Sequence, residues 1–289
     1  MARILATGIV TLDHTLDVAS YPPEDSEIRA LASTTQPGGN ATNTATILAQ
    51  FGHRSGLAAV IAEGAAGDAL GDRLEDLGLE LGACVRRPGG TPTSCILRSR
   101  ETGSRTIVHH RDLPELSAND LTGVPWAEYD WLHFEGRNPA ELARILADAR
   151  AEIVDQPLSL ELEKPRPGLD ACLPYADVIM LSRAWAATIA DTPEAAVTAL
   201  AERFPDRIFT VTAGGAGAWL AARGALHHCA PTSGLRIVDS VGAGDTFNAG
   251  LIHALVSGNP PEQALGSAVR LAERKLEQTG FAGLGTAGF

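Results

Sequence analysis

The first apolar run, "RILATGIV" from Arg3 to Val10, is almost unbroken and predicts a buried strand. A stretch rich in Pro, Ser and Thr follows, and its second half, "EIRALASTTQ", fits an extended ribbon. In "GNATNTATILAQFGH" the period changes. Small residues come first, then Ile47, Leu48 and Phe51 share one helical face. "SGLAAVIA" predicts a strand and "GDALGDRLEDLGL" an amphipathic helix, while "SCILRSR" and "SRTIVHH" meet around Thr102-Gly103 as a hairpin. From "YDWLHFEG" onward strand-like and helix-like runs alternate: "NPAELARILADARA", "LSLELE", "DVIMLS", "PEAAVTALAERF", "RIFTVTAGG". A second hairpin turns at Arg223-Gly224, and long helices starting near Ala243 and Pro261 end the pattern.

Such alternation predicts an α/β fold, with a mostly parallel sheet covered by helices on both faces. The ribbons near 12–36 and 92–112 break the pattern and are expected to form a small β-sheet projecting as a lid. No repeat, low-complexity tract or linker interrupts the chain, so residues 1–289 are expected to form one domain.

A hydrophobic content of 45% supports a sizeable core, and a formal net charge of -12 argues against nucleic acid or an anionic membrane as partner. Cys84, Cys95, Cys172 and Cys229 are far apart and form no C-x-x-C pair, as expected of thiols in a reducing cytoplasm. The N-terminal apolar run is too short to span a bilayer and carries no cleavage pattern. The pairs His109-His110 and His227-His228 fall in strand patterns, where neighbours face opposite sides, and are expected to be structural rather than metal ligands.

The chemistry concentrates in glycine-rich stretches. In "DSVGAGDTFNAG", Gly242, Ala243 and Gly244 lie just where the apolar pattern of Phe247, Leu251 and Leu255 begins a helix. Their N–H groups would face an anion at its N-terminus. Asp245 is itself an anion, and its place beside a phosphate makes sense if it removes a proton from an attacking hydroxyl. "PGGNATN" puts Gly39 at another helix mouth, with Asn40 and Asn43 on one face of the first turn. Those amides suit a polyol, although a turn with Asn40 as N-cap explains the pattern equally well. "TAGGAGAWL", with Gly214, Gly215 and Gly217, is either a phosphate-approaching loop or a plain tight turn. Asp13 and Glu135 follow strands, where ligands gather in open parallel sheets, but a turn-forming role is as good for each.

Taken together, these segments resemble the ribokinase-type carbohydrate kinases, the PfkB family. "PGGNATN" is similar to that family's sugar signature and "DSVGAGDTFNAG" to its nucleotide and catalytic signature. Within the family, "YPPEDSEIR", "PGGNATN", "GSRTIVHH", "HFEGRNP", "ELEKPR" and "DSVGAGDTFNAG", in that order from Tyr21 to Gly250, resemble the ketohexokinases. The resemblance implies a ribokinase-like three-layer α/β/α sandwich with a β lid. It implies ATP-dependent phosphorylation of a ketohexose, D-fructose to fructose 1-phosphate, with Mg²⁺ on the nucleotide. A kinase for another sugar, a sugar acid or a nucleoside is the alternative, followed by a non-catalytic sugar-binding protein.

By the same resemblance Asp13, Gly39, Asn40, Asn43 and Glu135 contact the sugar, and Arg105 meets the sugar or its phosphates. Asp245 is the base, Gly242 to Gly244 form the anion hole, and Gly214, Gly215 and Gly217 belong to the nucleotide loop. Lids of two subunits would clasp in a homodimer, bringing Asp25 to the partner's sugar. A monovalent cation such as K⁺ is implied near Asp239 and Ser240. The chain departs from the family in three places: "SRAWAA" stands where an N-x-x-E magnesium motif is common, Ser104 stands for Asn, and Leu276 for Cys. No metal ligand is assigned.

Overall fold

The structure, a computed structural model, describes residues 1–286, so the last three residues of the expected 1–289 unit lie outside the described residues. The chain begins with β1 (Arg3–Thr7), β2 (Thr11–Val18), β3 (Ala32–Gly38) and α1 (Asn40–Gln50). β4 (Arg54–Ala58), β5 (Val60–Ala62), α2 (Ala65–Asp76), β6 (Leu79–Glu80) and β7 (Val85–Arg87) follow, then the hairpin of β8 (Thr93–Ser99) and β9 (Arg105–His110). Alternation begins at β10 (Trp131–Glu135) and α3 (Pro139–Glu152), and continues through β11 (Leu158–Leu162), β12 (Val178–Ser182), α4 (Arg183–Ala186), α5 (Pro193–Arg203) and β13 (Ile208–Thr212). The hairpin β14 (Ala218–Ala222) and β15 (Ala225–Cys229) leads into α6 (Ala243–Val256) and α7 (Pro261–Leu276).

The main sheet has the order β15-β14-β13-β12-β11-β10-β1-β4-β6. It is parallel except where β14 and β15 turn back. Side-chain alternation sorts its strands into two cores. Leu132 and Phe134 of β10, with Leu158, Leu160 and Leu162 of β11, pack against α3 and α5. Ile4, Trp131, Val178 and Met180 point the other way, against α1, α6 and α7. The result is three layers, as expected.

β3-β2-β8-β9 form the separate small sheet, on the segments expected of a lid. Its hairpins are antiparallel, but β2 and β8 run parallel because the chain crosses the main sheet between them. The buried Asp17 ties two lid strands together, accepting from Arg98 Nε at 2.6 Å and from Arg100 Nη2 at 2.6 Å. Arg98 first, and then Arg100, hold its carboxyl below the ordinary value against the penalty of burial.

Two predicted strands are shorter than the pattern suggested. "RILATGIV" stops pairing at Thr7, where the chain bends so that the Ile9 N–H can reach Glu135. "SGLAAVIA" divides into β4 and β5, and β5 leaves the main sheet to pair with β7. All four cysteines are free thiols. Among the described residues no helix is long and apolar enough to cross a membrane.

Candidate active site

Two helix N-termini meet at the carboxyl ends of the parallel strands. α1 begins after Gly39, whose φ of 105° strains any side chain; a Cβ there would also stand 2.2 Å from the Ile9 carbonyl. α6 begins after Gly242, with φ of 75°, where a Cβ would meet the Phe281 ring at 2.3 Å. A helix leaves its first N–H groups without partners. Those of Gly244 and Asp245 find none elsewhere among the described residues. Between the helices, Asn43 Nδ2 donates to Asp245 Oδ2 at 2.6 Å. Asn40 makes no cap. Its amide crosses to β11 and beyond, to Glu161 Oε1 at 3.2 Å and Glu163 Oε2 at 3.4 Å.

These residues line a cleft of about 460 Å³ together with Asp13, Gly39 and Arg105. Asp13 lies within β2 and accepts from Thr11 Oγ1 at 2.8 Å. Glu135 takes a different place from the one expected. It is the last residue of β10, and its carboxylate accepts the Ile9 N–H at 3.1 Å and the Ala41 N–H at 3.5 Å. It faces a small cavity behind the cleft and braces the start of α1. Asp25, exposed at a turn with φ of 53°, is not brought to the cleft of its own chain.

The cleft floor is unusually acidic. Glu135 and Glu161 are register neighbours on β10 and β11, and both side chains point toward the α1 and α6 layer. Burial first, then Asp245 and Glu135, push Glu161 well above the ordinary value. Its Oε2 is buried without a hydrogen-bond partner. Asp245 is pushed up to about 8, by burial first; the Asn43 hydrogen bond opposes this, while Glu135, Glu163 and Asp13 add to it. A carboxyl so poised can gain or lose a proton near neutral pH.

A second cavity, of about 640 Å³, opens beyond α6 and is lined by Gly214, Gly215, Gly217, Ile237, Phe247 and Leu276. The two cavities share Arg105, Ser240, Ala243 and Gly244, so a group passing between them crosses the N-terminus of α6. Arg105 reaches from the lid strand β9 and donates to Ser240 Oγ. The position of the missing N-x-x-E motif holds Ser182, which caps α4, and Trp185, which is buried. Among the described residues no three His, Cys, Asp or Glu side chains gather where they could hold a metal ion. Behind the α6 loop, Lys275 donates to Asp239 Oδ2 at 2.9 Å and to the Asp239 carbonyl at 3.1 Å.

Sequence reasoning assigned no role to Glu161, Glu163, Lys164, Arg166 or Arg137, all of which line the cleft. The signal lay in motifs already visible, "EGRN" and "ELEKPR", which place charge where apolar strands end. His109 also lines the cleft, with Nδ1 at 3.2 Å from Ser94 Oγ, whereas His228 stacks on Trp219.

A nine-stranded sheet of this order between two helical layers, with a small β-sheet bordering joined cavities at a helix N-terminus, defines the ribokinase-like fold. The chain belongs to the pfkB family of carbohydrate kinases, whose profile matches residues 1–284. It is 34% identical to ketohexokinase of Mus musculus over 294 positions, covering 98% of each chain. It is 27% identical to the ATP-dependent ribose-1-phosphate kinase of Halopiger xanaduensis, over 92% of this chain and 88% of that one. Ribokinase of Arabidopsis thaliana, solved with ribose and ATP, superposes with a TM-score of 0.77 at 20% identity, over 96% of this chain and 94% of that one.

Proposed function

We propose that this kinase transfers the γ-phosphoryl group of ATP to the 1-hydroxyl of a ketohexose, D-fructose above all. The observation that carries the chemistry is the Asn43–Asp245 hydrogen bond of 2.6 Å beside the free N–H groups of α6. Asp245 takes the hydroxyl proton as the oxygen attacks, and Asn43 fixes which carboxylate oxygen faces the sugar. The N–H groups of Gly242 to Gly244 hold the charge spread over the transferred group. Arg105, between the two cavities, adds positive charge at the crossing point. Asp13, Asn40 and Glu161 offer acceptors and donors to sugar hydroxyls, and Gly214, Gly215 and Gly217 let the backbone approach the nucleotide. Mg²⁺ would come with the nucleotide phosphates, whose charge it would offset; among the described residues no three His, Cys, Asp or Glu side chains gather to hold it apart from them.

The ketose reading draws on the full-length similarity to a ketohexokinase. One feature favours a second reading. Lys164 and Arg166 line the cleft without forming an ion pair among the described residues, which suits an anionic acceptor such as a sugar acid or a sugar phosphate. A panel of ketoses, aldoses, sugar acids and sugar phosphates, with ADP release as the signal, separates the two. D-fructose is expected to give the highest kcat/KM, with phosphorus NMR placing the phosphate on O1. A sugar acid or sugar phosphate at the head of the panel would replace the ketose. The same reading places the enzyme in the cytoplasm, as a homodimer joined through its lids.

A further inference from the structure

The loop that carries the anion hole is held from behind by a buried ammonium. Lys275, in the last turn of α7, is fully buried, which is rare for a lysine. Its Nζ donates to Asp239 Oδ2 at 2.9 Å, to the Asp239 carbonyl at 3.1 Å and to the Gln278 carbonyl at 3.5 Å. Asp239 passes the contact on. Its Oδ1 accepts the Val241 N–H at 3.0 Å, and its Oδ2 accepts the Gly280 N–H at 3.3 Å. Gly242, Ala243 and Gly244 come directly after Val241. Lys275 lines neither the sugar cleft nor the nucleotide cavity, so it does not touch the reacting groups.

Carbonyl and carboxylate oxygens converging on one point are the ligands of a hard cation. A monovalent ion is the group that the family resemblance implies near Asp239 and Ser240. The residues present do not fit it. The Asp239 carbonyl and one carboxylate oxygen already face an ammonium, and Arg98 Nη1 stands 3.5 Å from the other. A further cation on these oxygens would meet like charge at close range with little water to screen it. We propose that Lys275 is a covalently held cation that positions the anion-hole loop through Asp239, so that turnover requires no monovalent metal ion, an inference that rests on the anion-hole role of Gly242 to Gly244. Lys275 is thus a positioning residue, acting through Asp239 on the geometry that the transferred group meets.

A buried ion pair can also be mere structure, and replacing it by apolar groups is then often neutral. The test separates these roles. Wild-type enzyme assayed in chloride salts of K⁺, Na⁺ and tetramethylammonium should give the same kcat. Lys275→Met, which keeps the side-chain length, should lose about tenfold to a hundredfold in kcat, the scale of a small misplacement near the chemistry, with little change in sugar KM. Amide hydrogen exchange at Val241 to Gly244 should rise in that variant and stay unchanged in β11. In Lys275→Ala, which leaves room, NH₄⁺ or K⁺ should restore part of kcat where tetramethylammonium does not. Wild-type turnover that depends on K⁺ overturns the proposal, and this arm needs no variant to fold. Wild-type kcat and unchanged loop exchange in Lys275→Met overturn it as well. Absence of turnover on every sugar would strike the kinase chemistry instead, and the exchange measurement would still decide whether Lys275 holds the loop.

Discussion

At the scale of one residue, the chemistry turns on Asp245. Burial and the nearby carboxylates disfavour its charged form, while the Asn43 amide favours it, and the balance leaves the group at about 8. A carboxyl whose pKa is raised is protonated on the acid side and becomes a base only as pH climbs through that value. The kcat/KM profile, which reports the free enzyme, should therefore fall toward acid with its limb near pH 8 rather than at the ordinary carboxylate value of about 4. Asn43→Ala removes the opposing hydrogen bond and should move the limb further up. A limb left at the ordinary carboxylate value would assign it to another group. Asp245→Asn keeps the shape without the base, so ADP should still bind while kcat drops by about 10²–10⁴. Retention of more than about a tenth of wild-type kcat would remove Asp245 from the role of base.

At the scale of elements, the start of α1 shows what a local pattern can and cannot disclose. Helices and strands were legible because their periods are local, and the α6 signature was legible because Gly242, Gly244 and Asp245 are contiguous. Asn40 was ambiguous, since an Asn at a helix start is a cap or a ligand on the same evidence. The ambiguity ends only across the sheet, where Glu161 and Glu163 accept its amide from 121 and 123 residues away. Glu161 was hidden for the same reason: "LSLELE" reads as a strand, but only the strand order makes Glu135 its neighbour. The cap that Asn40 could have supplied is met instead by Glu135, a strand carboxylate that accepts the Ala41 N–H, and the Asn40 amide turns to Glu161 and Glu163 in the cleft. Asn40→Ala should accordingly raise the sugar KM by the equivalent of about 1–3 kcal/mol and leave the ATP KM nearly unchanged. Steady-state kinetics with each substrate varied in turn checks this. An equal rise in both KM values, together with a lowered melting temperature, would return Asn40 to a role in holding the helix.

At the scale of the molecule, the lid is the part that one chain leaves unfinished. Ile28, Leu31 and Val108 are 43%, 62% and 67% exposed, and every residue of β9 is exposed. A small sheet with so much apolar surface in water gains little from its own packing. A second lid related by a two-fold axis would cover the same residues on both copies and make the contact self-complementary. Asp25, which is far from useful in its own chain, would then stand near the partner's cleft. Sedimentation should give a dimer. The sharper measurement mixes an Asp25→Ala chain with an Asp245→Asn chain and follows activity after subunit exchange. If Asp25 acts across the interface, each heterodimer pairs one site carrying both defects with one carrying neither, and activity returns although both parents are impaired. If Asp25 acts within its own chain, every site in the mixture keeps one defect and no activity returns. A monomer, or proven exchange without recovery, would confine each active site to its own chain and leave the lid a cover for that chain alone.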